Sequence, residues 1–167
     1  RETLERIGEL CFKHHVLVLS DEIHCDITRP GMEYIPFASA SEHCKNNSIT
    51  CVAPTKTFNL AGLQTAAVIV PDAALRHRVN RGLNTDEVAE PNVFAAIAPI
   101  AAFDRGREWL EELREYLWEN RKAAEDFIRE EIPELRTVSA DATYLLWIDC
   151  NALPGDLSEL AEFIRKE

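Results

Sequence analysis

No stretch of this sequence approaches the roughly 18 consecutive apolar residues of a membrane-spanning helix. Its start also lacks the charged-then-apolar pattern of a secretory signal. Both absences lead us to expect a cytoplasmic chain with no membrane partner. Positive charge is in deficit: 18 Lys and Arg face 29 Asp and Glu, for a net charge of −11. A nucleic-acid surface needs clustered cations, so that class of partner is excluded. The five cysteines, Cys11, Cys25, Cys44, Cys51 and Cys150, are odd in number and show neither a CxxC pair nor a Cys/His metal spacing. We expect reduced, mostly buried thiols and no metal site. Internal repeats and low-complexity linkers are missing as well.

What is present is an ordinary globular balance, 46% hydrophobic and 28% charged residues. With 167 residues the chain is a domain and a half at most, on a prior of roughly 150 residues per domain. The first residue is Arg1, and helical patterns run into both ends. Leu4, Ile7 and Leu10 mark one helix face; Leu157, Leu160, Ala161 and Ile164 mark another that Glu167 cuts short. The expectation is a piece of something larger.

Along the chain, Glu2 to Lys13 reads as an amphipathic helix. His15 to Ser20 (HVLVLS) is a continuous apolar run, the mark of a strand buried on both faces of a parallel sheet. Pro30, Gly31 and Pro36 then break the chain into a loop. Ser48 to Ala53 and Thr65 to Val70 are two more short strands. Helices follow at Asp72 to Leu83, from Glu90 and Pro91 to Ala102, and, after Gly106, from about Glu108 to Glu131. The alternation of Tyr144, Leu146 and Ile148 in ATYLLWID predicts a strand with one buried face. Asp156 is placed to cap the last helix. Apolar strands interleaved with helices argue an α/β fold. The change to long helices and an alternating strand predicts a boundary near residue 105, with 1–105 as one unit and 106–167 as part of a smaller α+β unit.

Two polar segments sit where buried strands end, the place where α/β sheets bind ligands. Ser20, Asp21, Glu22, Ile23 and His24 follow the first strand; Pro54, Thr55, Lys56, Thr57, Phe58 and Asn59 follow the second. An acid at one strand end and a lysine at the next are placed to converge. The V-L-S-D-E-I-H run, with A-P-T-K-T-F-N-L-A-G-L-Q placing Lys56 35 positions after Asp21, resembles the fold-type I pyridoxal-phosphate enzymes of aminotransferase class I and II. Within them it is most similar to the cystathionine β-lyase-like carbon–sulfur lyases, and the likeness continues through P-N-V-F, W-L-E-E-L and A-T-Y-L-L-W-I-D. It implies a PLP-transferase-like α/β fold: part of a mixed, mostly parallel sheet of the large cofactor domain, then part of the small C-terminal domain.

The resemblance also implies roles. Lys56 matches the lysine that joins the cofactor aldehyde as a Schiff base and, once released, removes the substrate Cα proton. Asp21 matches the carboxylate that keeps the pyridine nitrogen protonated, so that the ring can act as an electron sink. His24 stands where aminotransferases usually carry a tyrosine that touches the cofactor, and Thr55 matches a hydroxyl residue that meets its phosphate. Thr57 and Asn59 are expected to shape the turn, and Asp86 and Asn92 to cap helices. Two departures favour the lyase branch: Ala53 and Gln64 stand where many aminotransferases have a phosphate-binding serine and arginine, and losing an arginine fork is not a neutral change.

The expected reaction is β-elimination on cystathionine or cysteine to a thiol, pyruvate and ammonia, in a homodimer acting on a small amino-acid substrate. A class I/II aminotransferase and a non-catalytic regulatory or binding role are the alternatives. The family's glycine-rich segment, its cofactor-stacking aromatic and its substrate-carboxylate arginine match nothing in these 167 residues. Residues 1–167 alone are therefore expected to bind the cofactor weakly and to be inactive.

Overall fold

A computed structural model describes residues 1–153 and 155–166, with residue 157 described for its backbone alone. The first helix, α1 (Glu2–Lys13), has the bounds its spacing predicts. It packs on the short α2 (Glu42–Asn46), whose N-terminus is capped by Ser41 accepting a hydrogen bond from the Cys44 amide. Gly8 makes that approach possible, since a Cβ there would lie 2.3 Å from Cys44 Sγ. Phe37, Ala40 and Cys44 form the buried core of this region, with Leu4 and Val18 packed against it.

Three strands form the sheet, β1 (Val18–Asp21), β2 (Ser48–Val52) and β3 (Ala67–Ile69), in the order β1-β2-β3. The β1–β2 pair is parallel, with Val18 opposite Ser48 and Asp21 opposite Cys51. The β2–β3 pair is antiparallel, with Thr50 opposite Ile69 and Val52 opposite Ala67. The sheet is thus mixed.

The apolar run at 15–20 does not all enter β1. His15 turns through a left-handed φ of 55°, and the Val16 amide donates back to the Cys11 carbonyl at 2.8 Å. The first residues of the run therefore close α1, a common way to satisfy orphaned carbonyls, and the strand begins only at Val18. Nor is β1 buried on both faces: Leu19 is 67% exposed, because no described element covers that side.

Beyond the sheet run α4 (Ala73–Thr85), α5 (Ile97–Arg105) and α6 (Arg107–Glu131); α3 belongs to the site below. Asp72 caps α4, accepting from the Leu75 amide at 2.7 Å, while Asp86 lies at the other end of that helix. The helix expected from Glu90 starts seven residues later. Asn92 instead makes a local turn with the Phe94 amide (2.9 Å), and its side-chain amide reaches the Leu63 carbonyl.

A two-stranded ladder joins β4 (Arg136–Thr137) to β5 (Ile148–Asp149). The strand expected over Tyr144 to Ile148 is reduced to its last part. Ala142 pairs with Thr28 instead, and the Thr143 amide donates to the Ile27 carbonyl at 2.7 Å. Arg121 on α6 holds the ladder down: it is buried, pairs with Glu125 at 2.8 Å and donates to the carbonyls of Leu145 and Val138, both at 3.1 Å. Asp156 caps α7 (Leu157–Lys166) through the Ser158 amide at 2.6 Å. That bond holds its carboxyl below the usual carboxylate range. Of the helix face expected here, the side chain of Leu157 lies outside the described residues, as does Glu167. Among the described residues no helix is long and apolar enough to cross a membrane. All five cysteines are free; Cys44 is buried and the other four are half-buried.

Candidate functional site

The parallel pair β1–β2 ends with Asp21 opposite Cys51, and both chains then turn away at the same edge. That edge is the carboxyl end of both strands. On the β2 side the chain enters a single helical turn, α3 (Pro54–Thr57), with proline in its first position, where no backbone donor is lost. Lys56 lies on this turn and is exposed; Thr55 is half-buried beside it. The turn is closed by the Phe58 amide donating to the Pro54 carbonyl (2.9 Å) and the Leu60 amide to Thr55 (3.0 Å). Asn59, at a left-handed φ of 54°, redirects the chain, as expected of a turn-shaping residue.

Lys56 and Thr55 open onto a cleft of about 340 Å³, walled by Trp109, Leu113 and Leu117 of α6 and by Tyr144. This lies at the small end of the roughly 300–1,000 Å³ range of small-molecule sites. The α6 residues recur every fourth position, so they share one face of the helix. Phe58 stacks on Trp109 with centroids 5.7 Å apart and meets Phe103 edge-on at 5.4 Å. Those contacts seat the lysine turn against the junction of α5 and α6.

Asp21 and His24 do not line this cleft. The Asp21 carboxylate is exposed and accepts from the Ile23 amide at 3.2 Å. It lies close enough to Cys51 to push that thiol's pKa up, second to burial as a cause. The His24 ring packs edge-on against Tyr144, 5.2 Å between centroids, and so backs the cleft wall. Its Nδ1 is buried without a hydrogen-bond partner among the described residues. Of the four residues singled out in the sequence, then, two share the cleft, one backs it, and one stands at the neighbouring strand end. Ala53 is buried below the lysine turn, and Gln64 sits in left-handed backbone (φ 48°) on the exposed side.

Two acids that the sequence did not single out organise the loop after β1. Glu22 is only 4% exposed; its Oε1 accepts from Ser20 Oγ (2.9 Å) and from the Phe37 amide (3.0 Å). Tyr34 lies near Glu22. Partial burial first, and then the Glu22 charge, push its phenol up to about 12. Asp26 accepts from the hydroxyl of Thr57 at 3.1 Å, across 31 residues of sequence. Cys25 beside it is pushed up to about 11 by burial, then by the charges of Asp26 and Glu22. The sequence holds the acids but not their burial, which is set by segments far along the chain. Trp109 and Tyr144 were missed as cleft walls for the same reason.

The family profile for aminotransferases of class I and II matches residues 1–167. The chain belongs to that family. It is 41% identical over its whole length to cystathionine β-lyase PatB of Bacillus subtilis strain 168, of which it spans 43%. Cystalysin of Treponema denticola, whose crystal structure contains pyridoxal 5′-phosphate, superposes on 98% of the chain with a TM-score of 0.93 and 29% identity, over 42% of its own length. The PLP-bound C–S lyase of Staphylococcus hominis covers 89% of the chain at a TM-score of 0.78 and 33% identity, over 37% of its length. The chain thus spans about two fifths of the relatives it matches, and its fold is the fold-type I PLP-enzyme fold expected from the sequence.

Proposed function

We propose that these residues form the lysine-bearing part of a pyridoxal-phosphate-dependent carbon–sulfur β-lyase. The observation that carries the proposal is Lys56, set on a single turn at the carboxyl end of β2 and opening onto a cleft beside the strand end that bears Asp21. The setting fits the cofactor. An amine lies at a concave site with apolar walls, a carboxylate lies one strand away, and the buried His24 Nδ1 lacks a partner among the described residues. Residues 1–105 would then belong to the large cofactor domain and 106–167 to the connecting helix and part of the small domain.

Pyridoxal phosphate, when bound, supplies an aldehyde that takes primary amines and a ring that accepts electron density. Lys56 would hold the cofactor at rest. With its amine free, its Nζ would take the substrate Cα proton as general base. The Asp21 carboxylate would accept a hydrogen bond from the ring nitrogen and favour its protonated form. Thr55 would offer its hydroxyl to the phosphate, and His24 would back the Tyr144 side of the site. In the net reaction the Cα proton leaves, the Cβ–sulfur bond breaks with its electron pair going to sulfur, and water converts the three-carbon remainder to pyruvate and ammonia. Cystathionine or cysteine fits this chemistry, acted on by a cytoplasmic homodimer.

The test is release of pyruvate and free thiol from cystathionine by the whole protein, with no keto acid added. Lys56→Ala is expected to lower that release by at least about 10²-fold, the lower end of what a positioned acid–base group contributes. Turnover that requires a keto acid, or that survives Lys56→Ala, would overturn the reading.

A further inference from the structure

A four-residue helical turn does not hold itself in place, because isolated helices shorter than about 12 residues are marginal in water. The direction in which Lys56 leaves the sheet must therefore be set by tertiary contacts of α3. Successive residues of a helix project about 100° apart. Fixing the side chain next to Lys56 thus fixes the rotation of the turn about its axis, and with it the exit of the lysine stem.

That neighbour is Thr57. It is fully buried, at 0% exposure, and its one hydroxyl donates to Asp26 Oδ2 at 3.1 Å. Asp26 is half-buried on the loop that follows β1, five residues beyond Asp21. That loop is itself held at both ends. The Glu22 amide extends the β1–β2 ladder by donating to the Cys51 carbonyl at 2.8 Å, and the Ile27 carbonyl accepts from the Thr143 amide at 2.7 Å. The Asp26 carboxylate is thereby an anchored acceptor. A hydrogen bond to a charged group is also about twice as strong as one between neutral groups. We infer that Asp26 and Thr57 are positioning residues for Lys56, a buried link that fixes the rotation of the lysine turn relative to the strand end bearing Asp21. The inference rests on the reading of Lys56 as the cofactor lysine.

The experiment uses the holoenzyme and the variants Thr57→Val, Thr57→Ser, Asp26→Ala and the double variant Thr57→Val/Asp26→Ala. Borohydride reduction followed by peptide mapping first locates the bound cofactor in the wild type. Attachment at a lysine other than Lys56 would sink the underlying reading, and this inference with it. With attachment at Lys56, Thr57→Val is expected to lower kcat by about 10- to 100-fold, the order that a misplacement of about 1 Å produces, while KM moves less than about twofold. Thr57→Ser, which keeps the hydroxyl, should restore kcat to within about threefold of wild type. The double variant should be no worse than the poorer single one, as for residues that act as a unit.

A second readout needs no turnover. Hydrogen exchange at the Phe58 and Leu60 amides, which close α3, should quicken in Thr57→Val and Asp26→Ala and stay slow in Thr57→Ser. The inference fails if Thr57→Val keeps wild-type kcat and exchange, if Thr57→Ser loses as much as Thr57→Val, or if the two single effects add. Should Thr57→Val fail to fold, Thr57→Ser against Asp26→Ala gives the same comparison, with equal kcat in those two refuting the link.

Discussion

Gly106 offers a sharp test of how the lysine turn is seated. It ends α5 and precedes α6, with ordinary backbone angles (φ −86°, ψ 6°) that any residue adopts, so the requirement for glycine is one of space. A Cβ at this position would lie 2.5 Å from Phe58 Cε1 and 2.4 Å from the Ala102 carbonyl oxygen. Carbon atoms in contact sit about 3.5–4.0 Å apart. In Gly106→Ala the Phe58 ring must therefore retreat by about 1 Å, and the 2.7 Å bond from the Gly106 amide to the Ala102 carbonyl must loosen with it.

Overpacking of this kind costs about 1–3 kcal/mol, and the lost freedom of the unfolded chain returns about 0.4–1 kcal/mol. The net expectation is a loss of about 1–2 kcal/mol. Phe58 is two residues from Lys56, so turnover should fall by about 10- to 100-fold. Denaturation of the holoprotein followed by tryptophan fluorescence suits the measurement, since Trp109 stacks on Phe58. Gly82→Ala is the control: it lies within α4 with nothing inside 4 Å of an added Cβ, and should gain about 0.5–1 kcal/mol. If Gly106→Ala matched wild type in midpoint and turnover, the seating of the turn through Phe58 would be wrong.

Glu22 and Tyr34 extend the test to the loop after β1. Glu22→Ala strands the donors of Ser20 and Phe37 and should cost about 2–6 kcal/mol, at about 1–3 kcal/mol for each orphan. Glu22→Gln keeps the oxygen that serves Ser20 and Phe37 and should cost less than about 1 kcal/mol; equal losses in denaturant midpoint would refute the assignment. The Tyr34 phenol is raised in the folded state, so its contribution to stability is complete below its ordinary value of 10 and is lost as pH climbs toward about 12. A spectroscopic titration should show a late-ionising phenol, and Tyr34→Phe should remove that late phase.

Sequence patterning carried the elements whose cause is local. The bounds of α1 follow from its spacing of Leu4, Ile7 and Leu10, and the cap at Asp156 from short-range chemistry. The elements misread are those in which a distant segment competes for the same backbone. The run at 15–20 supplies the close of α1 before it supplies a strand. Thr143 gives its amide to Ile27, which takes that stretch out of the strand expected from its alternation. The antiparallel direction of β3 is likewise a property of pairing, and no periodicity encodes it. At the site, Lys56 and Asp21 are singled out by a strand end and a fixed offset, and the structure sets Lys56 on the cleft and Asp21 at the neighbouring strand end. Glu22, Asp26 and Thr57 carry no such mark; their burial, and hence their weight, is created by segments 15 to 31 residues away.

The cleft is assembled from both sides of the boundary expected near residue 105. Thr55 and Lys56 come from the end of β2, while Trp109, Leu113, Leu117 and Tyr144 come from beyond it. The two sides are also joined by polar contacts at the loop after β1. Arg114 of α6 donates its Nε to the Thr28 carbonyl at 3.0 Å and a terminal nitrogen to the Met32 carbonyl at 3.0 Å, and Arg29 pairs with Asp141 at 3.3 Å. An exposed pair such as Arg29–Asp141 contributes little. Arg114, with its side chain only 12% exposed and its donors spread over several carbonyls, is the stronger tie. One terminal nitrogen pairs with Glu111 of the same helix at 3.0 Å, which leaves the remaining donors to bind the loop carbonyls and hold the loop and α6 in one arrangement. Asp26 lies on the same loop, two residues before Thr28. The hydrogen bond that orients the Lys56 turn and the helix that walls its cleft are therefore set by one short segment, residues 26–32, and the positions of amine and wall are coupled through it.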